Sequence, residues 1–150
     1  MWKRVTLVSW SHPGGQVKAV KPGALFRGFV WAFTSTAFIC AALVLWAFMT
    51  VGDVYHYSGI FTASTLLGAF LGGAVSGRAA GSMGWLHGAG TGLLYSLVIT
   101  SFVAVWEGGA DLELLAARCA ALLLLSVLGG VTGVNLPAGG RRRPPVPGRQ

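Results

Sequence analysis

The chain has 150 residues, 54% of them hydrophobic and only 10% charged, with a formal net charge of +7. A soluble domain carries about 25% charged residues, so so sparse a charge excludes an ordinary soluble fold, and a mean hydropathy of +0.68 makes the bilayer the natural solvent. The basic residues flank apolar stretches instead of forming a face, so orientation in a membrane accounts for them and nucleic-acid binding does not.

Residues 1–24 form a basic N-terminal segment in which "HPGG" and "KPG" break any helix. Four apolar runs follow, at about 25–51, 57–77, 85–106 and 114–134. Each meets the requirement of about 20 residues for a helix across the hydrocarbon core. Helix is the expected conformation, since lipid offers no partner to an unpaired main-chain group. The first run is too long for a cleavable signal peptide, and no small-residue cleavage site follows it. It is expected to remain as an anchor. Residues 136–150 read as a disordered, proline-rich basic tail beyond the membrane domain of residues 25–135. The expected fold class is therefore all-α, an integral membrane four-helix bundle.

The charges sort by side. Lys3, Arg4, Lys18, Lys21 and Arg27 lie around the start of the first span, Arg78 between the second and third, and Arg141, Arg142, Arg143 and Arg149 after the fourth. The four acids, Asp53, Glu107, Asp111 and Glu113, all fall in the two opposite loops. Excess Lys and Arg mark the cytoplasmic side, which puts both termini in the cytoplasm. Arg118 departs from the pattern, about one turn into the fourth span. Its expected behaviour is to snorkel outward toward Glu107, Asp111 or Glu113. Trp46, Phe48, Tyr55, Tyr57 and Trp106 at one boundary, and Phe26, Trp31 and Trp85 at the other, are placed as interfacial anchors.

Small residues recur at helical spacing. Gly68 and Gly72 form one G-x-x-x-G pair, Gly73 and Gly77 another, and Gly129 and Gly133 a third; Gly84, Gly88 and Gly92 form a run. Residues four apart share a helix face, and a face without side chains lets two main chains approach closely in lipid. These nine glycines are the expected helix-packing positions. "GAGTG" is not a nucleotide loop, because it follows no strand and lacks the Lys-Ser/Thr sequel. "LGGAVSG" ends the second span and "LGGVTG" the fourth, so the two hairpins read either as a parallel repeat or as a chance match of glycine-rich ends.

No Asp, Glu or Lys stands at the centre of a span, which disfavours a proton-coupled carrier. His12, His56 and His87 are scattered, and no H-E-x-x-H occurs, so no metal, cofactor or catalytic residue is expected. Cys40 and Cys119 are read as reduced thiols packing as small hydrophobes. Tyr95 is the most demanding polar group, since a buried hydroxyl needs a partner, and a Ser or Thr on a facing helix is the expected one. His87 reads as an interfacial residue bonded to a carbonyl of the short loop before it, or as a pH-sensing or headgroup-binding imidazole.

The segment "GGAVSGRAAGSMGWLHGAGTGLLYSLVI" resembles the centre of the YrzE-like family of small four-span bacterial membrane proteins. The resemblance rests on Gly72, Gly73, Arg78, Gly84, Trp85, His87, Gly88, Gly92 and Tyr95. It covers residues 22–136 and is most specific over residues 68–97. It implies four spans and a bacterial plasma membrane, supplies no reaction, and makes Arg78, Trp85, His87 and Tyr95 the candidate functional residues. The expected function is non-enzymatic: packing, interaction or assembly in the lipid bilayer, as a homo-oligomer or with another membrane protein. The alternative is a small oligomeric transporter or channel with a pathway lined by Ser, Thr, Tyr95 and His87.

Overall fold

The structure, a computed structural model, describes residues 21–50, 57–106 and 111–136. All four elements are helices: α1 (Pro22–Thr50), α2 (Tyr57–Ala80), α3 (Gly84–Trp106) and α4 (Leu112–Asn135). Each is long and apolar enough to cross a membrane. Residues 1–20 of the expected N-terminal segment and 137–150 of the expected tail, with His12, His56, Asp53, Glu107 and the arginines of the tail, lie outside the described residues.

The helix ends have local causes. α1 starts at Pro22, three residues before the expected boundary at residue 25, because proline suits the first helical position, where no N–H partner is needed. The Lys21 carbonyl accepts the Ala24 N–H at 3.0 Å. α2 runs on through Arg78 to Ala80, so Arg78 sits in its last turn and not in the connection. The turn is only Gly81–Met83. Gly81, at φ +69°, takes the left-handed position that ends helices, and its N–H reaches the Gly77 carbonyl at 3.1 Å. Met83 also has positive φ, 49°, and its carbonyl accepts from Leu86 and His87 to start α3.

Contacts fix an up-down-up-down order. α2 and α3 touch each other, α1 lies against both, α4 lies against both, and α1 does not touch α4 among the described residues. The start of α1, the α2–α3 turn and the end of α4 therefore share one end of the bundle, here the turn end. α1 meets α2 along Ala24, Gly28, Ala32 and Thr36, a stripe of small residues every fourth position. A Cβ built on Gly72 would stand 2.5 Å from the Ala32 Cβ and 2.7 Å from the Gly28 carbonyl oxygen. One built on Gly68 would collide with the Thr36 hydroxyl.

α4 packs even more closely. Gly73 and Gly77 of α2 face the Ser126 and Gly130 carbonyls, while Gly129 and Gly133 of α4 face the Phe70 and Ala74 carbonyls. On its other side α4 meets α3: Gly84 and Gly88 face Gly130 and Ser126, and a Cβ on Gly88 would lie 2.5 Å from the Ser126 carbonyl oxygen. Gly92 faces the Ser126 side chain, with 2.7 Å between a built Cβ and the Ser126 Cβ. Large apolar side chains point outward instead. Phe38 is 75% exposed, Phe48 81%, Val105 84% and Trp106 81%. Such a surface fits hydrocarbon, not water.

Leucine at Gly77 or Gly130 would press on main chain, which cannot swing aside. Each substitution is expected to lower stability by at least the about 1–3 kcal/mol of an overpacked core. Gly59→Ala, with nothing within 4 Å of a built Cβ, should stay within about 0.5 kcal/mol of the parent. Melts in detergent followed by circular dichroism measure both.

Candidate functional site

Three polar layers stand along the bundle axis. At the turn end, His87 is only 2% exposed, although it lies one turn into α3. Its Nδ1 is 3.2 Å from the Met83 carbonyl oxygen, and its Nε2 accepts the Lys21 N–H at 3.2 Å. A carbonyl can only accept, so Nδ1 carries the proton and the ring is held in one neutral tautomer. Lys21 Nζ donates to the Ala80 carbonyl at 3.2 Å, placing a cation at the C-terminal end of α2. Ser76 Oγ donates to the His87 carbonyl, not to its ring, at 3.3 Å. Together these bonds tie α1, α2 and α3. The expected loop carbonyl for His87 is present, and the side chain is buried because Lys21, just before α1, lies over it. Trp85 is half exposed on the outer surface, and Arg78 is exposed.

At mid-depth Tyr95 is fully buried. Its hydroxyl lies 2.6 Å from Thr36 Oγ1 of α1 and 3.4 Å from the Thr65 carbonyl of α2. Thr36 Oγ1 also reaches the Ala32 carbonyl at 2.8 Å, so the two hydroxyls share two protons among one another and the carbonyls of Ala32 and Thr65. The ring packs edge-on against Phe33, with centroids 5.1 Å apart. One turn toward the turn end stands Thr91, whose buried hydroxyl has no hydrogen-bond partner among the described residues. The carbonyl a threonine would use four residues back is that of His87, and Ser76 already bonds to it. His87, Thr91 and Tyr95 recur every four residues and look toward α1 and α2. Gly84, Gly88 and Gly92, also four apart, look toward α4. Ser126 of α4 closes that side by donating to the Gly88 carbonyl at 2.8 Å.

Toward the far end, α2, α3 and α4 separate around a cleft of about 480 Å³ that continues into a deeper one of about 240 Å³. Phe61, Val103 and Leu122 supply its apolar walls, Thr65 and Thr100 its floor, and Arg118 stands at both levels. Arg118 thus lines an interhelical cleft and does not simply leave the bundle. Thr100 Oγ1 is 3.0 Å from Cys119 Sγ. Cys40 and Cys119 are both free and half-buried. No group of three or more His, Cys, Asp or Glu side chains that could hold a metal occurs among the described residues.

The candidates do not converge on one centre. His87 and Tyr95 belong to one face of α3 but to separate layers, and Trp85 and Arg78 stand outside both. Sequence reasoning did not single out Gly28, Ser76, Ser126 or Lys21. The four-residue spacing of Ala24, Gly28, Ala32 and Thr36 would have flagged the first. The other three gain their importance from which helix lies opposite, which spacing alone does not encode.

The family described as "Protein of unknown function (DUF3792)" matches residues 21–133. The chain is also 29% identical over 121 residues to a Bacillus subtilis (strain 168) protein named "Uncharacterized membrane protein YrzE", covering 81% of this chain and 80% of that relative. No solved structure matches.

The Tyr95–Thr36 contact is open to a double-mutant cycle with Tyr95→Phe and Thr36→Val. Interhelical hydrogen bonds in membranes are worth about 0.6 kcal/mol on average and up to about 1.7. A coupling energy in that range is expected from unfolding in mixed micelles, with both single variants less stable than the parent.

Proposed function

The chain belongs to the DUF3792 family, and with that membership as premise we propose that it is a non-enzymatic integral membrane protein of the bacterial plasma membrane. Both termini lie in the cytoplasm, and the protein works by packing with and holding membrane-embedded partners, a second copy of itself included. One observation carries this reading: the polar groups that chemistry would require are already engaged by main chain. Both ring nitrogens of His87 are bonded, and the Ser76 and Ser126 hydroxyls donate to carbonyls. None of these atoms is offered to a substrate. Gly73, Gly77, Gly84, Gly88, Gly129 and Gly133 press on neighbouring carbonyls, so we assign them to building the frame of the protomer. Partners then meet its lipid-facing side chains, not its glycine faces.

A second reading, a small oligomeric transporter, has one observation in its favour. The far-end cleft reaches Thr65, whose carbonyl lies 3.4 Å from the Tyr95 hydroxyl. Beyond Tyr95 the hydroxyls of Thr91 and Ser76 continue toward His87. Tyr95 fills the line completely, bonded to α1 and α2, so a passage would require that knot to open.

Orientation and role are tested together. In a background with Cys40→Ser and Cys119→Ser, Gly139→Cys should be shielded from an impermeant thiol reagent in intact cells. Gly109→Cys should be labelled. Gly88→Leu, by forcing apart the frame that presents those lipid-facing side chains, should abolish the crosslinks that the parent gives in native membranes. Labelling of both positions from outside, or crosslinks unchanged in Gly88→Leu, would remove the proposal.

A further inference from the structure

The far-end cleft differs from the rest of the bundle. Elsewhere the helices touch main chain to main chain; here about 480 Å³ opens between α2, α3 and α4, within the range of about 300–1,000 Å³ for small-ligand sites. The residues responsible are bulky. Phe61 on α2, Phe102 and Val103 on α3, and Leu122 on α4 stand where glycines stand nearer the turn end. Inside a bilayer a groove with such walls does not fill with water, since its lining offers few polar partners. It takes hydrocarbon.

The cleft has a second feature that hydrocarbon alone does not explain. Arg118 lines both its outer and its deeper part. It lies six residues into α4, about 9 Å along the axis at 1.5 Å per residue, flanked by apolar side chains. An arginine is costly at such depth unless it meets an anion or reaches the headgroup layer. A guanidinium offers five donors in a fork that matches phosphate, so a phosphate can join whatever Arg118 already contacts. The hydroxyls of Ser58 and Thr62 line the same mouth and can donate to further phosphate oxygens.

We infer that the cleft between α2, α3 and α4 binds one anionic phospholipid, its phosphate at Arg118, Ser58 and Thr62 and one acyl chain against Phe61, Val103 and Leu122. This deepens the proposed packing role by naming a lipid as its partner, and it rests on that role only for the bundle's being in a membrane. The lipid would fill the gap that the helices leave and join three of them at the end where glycine contacts are missing.

The test uses the purified full-length protein in detergent, with phosphatidylglycerol and phosphatidylcholine of identical acyl chains as probes. Phosphatidylglycerol should raise the melting midpoint in a saturable way and survive as a one-to-one adduct in native mass spectrometry. Phosphatidylcholine should bind at least tenfold more weakly. Arg118→Gln should weaken phosphatidylglycerol binding about tenfold, and Arg118→Lys should restore part of it. Thr62→Trp, at an exposed position, should block the mouth without touching the glycine seams. Equal shifts from the two lipids, retention of affinity in both Arg118→Gln and Thr62→Trp, or the same shift from glycerol phosphate alone would each overturn the inference. The thiol-labelling and crosslinking outcomes do not depend on any of these results, so the two proposals fail separately.

Discussion

The contact of main chain with main chain along α4 is the constraint on which the bundle depends. In lipid no hydrophobic drive brings helices together, because the tails are as apolar as the side chains. Association must come from close packing, and closeness is limited by whatever side chain stands between the axes. At Gly73, Gly77, Gly129 and Gly133 nothing stands between α2 and α4, and each glycine meets a carbonyl of the other helix. Gly84 and Gly88 do the same for α3 against α4. Glycine's poor helix propensity matters little here. The alternative to a helical hydrogen bond inside a membrane is no hydrogen bond at all, and the dispersion gained over a long seam offsets the remaining penalty.

Close approach has a consequence for polarity. Helices that touch at their backbones leave room only for small or precisely fitted side chains, and many of these are hydroxyls. Thr36, Ser64, Thr65, Ser76, Thr91, Ser96 and Ser126 are all buried. Most bond to a carbonyl on their own or a neighbouring helix, as Ser64 does to Ile60 at 2.7 Å and Ser126 does to Gly88 at 2.8 Å. The interior is therefore polar in composition but largely satisfied in bonding. Among the described residues Tyr95 is the single large side chain in this interior with no exposure. It ties α3 to α1 and α2 at a level between the glycine seams and the cleft that opens among α2, α3 and α4.

Much of this was legible in the chain. Four apolar runs gave four helices, with bounds shifted by only a few residues. The shifts trace to local chemistry that outranked hydropathy: Pro22 accepting the first helical position, and Arg78, placed between spans by its charge, remaining helical until Gly81 supplied the left-handed turn. The recurring glycines lie where a built Cβ would meet a neighbouring helix, and Tyr95 has a hydroxyl neighbour on a facing helix. What spacing did not reveal was the pairing of faces. Gly72 and Gly73 are adjacent in sequence, yet one turns to α1 and the other to α4, because neighbouring positions on a helix are about 100° apart at 3.6 residues per turn. The burial of His87 was not legible for the same reason: it depends on Lys21, which immediately precedes another helix, α1.

The seam between α2 and α4 is reciprocal. Gly73 faces Ser126 while Gly129 faces Phe70, and Gly77 faces Gly130 while Gly133 faces Ala74. Exchanging the two helices maps each contact onto its partner, pairing Gly73 with Gly129 and Gly77 with Gly133. Such exchange symmetry is what two parallel helices with G-x-x-x-G faces adopt, whatever their history. The shared Gly73–Gly77 and Gly129–Gly133 spacing is therefore accounted for by the seam, whereas the Leu-Gly-Gly runs of "LGGAVSG" and "LGGVTG" stand one residue out of that register. A duplicated hairpin requires more: α1 should then stand to α4 as α3 stands to α2. α3 touches α2, whereas α1 and α4 do not touch among the described residues. α1 packs on α2 and α3 on α4 as antiparallel pairs along small residues, so the two halves correspond there, while the contact of α3 with α2 has no counterpart between α1 and α4, because α3 carries a small face for α4 and a polar one for α1 and α2.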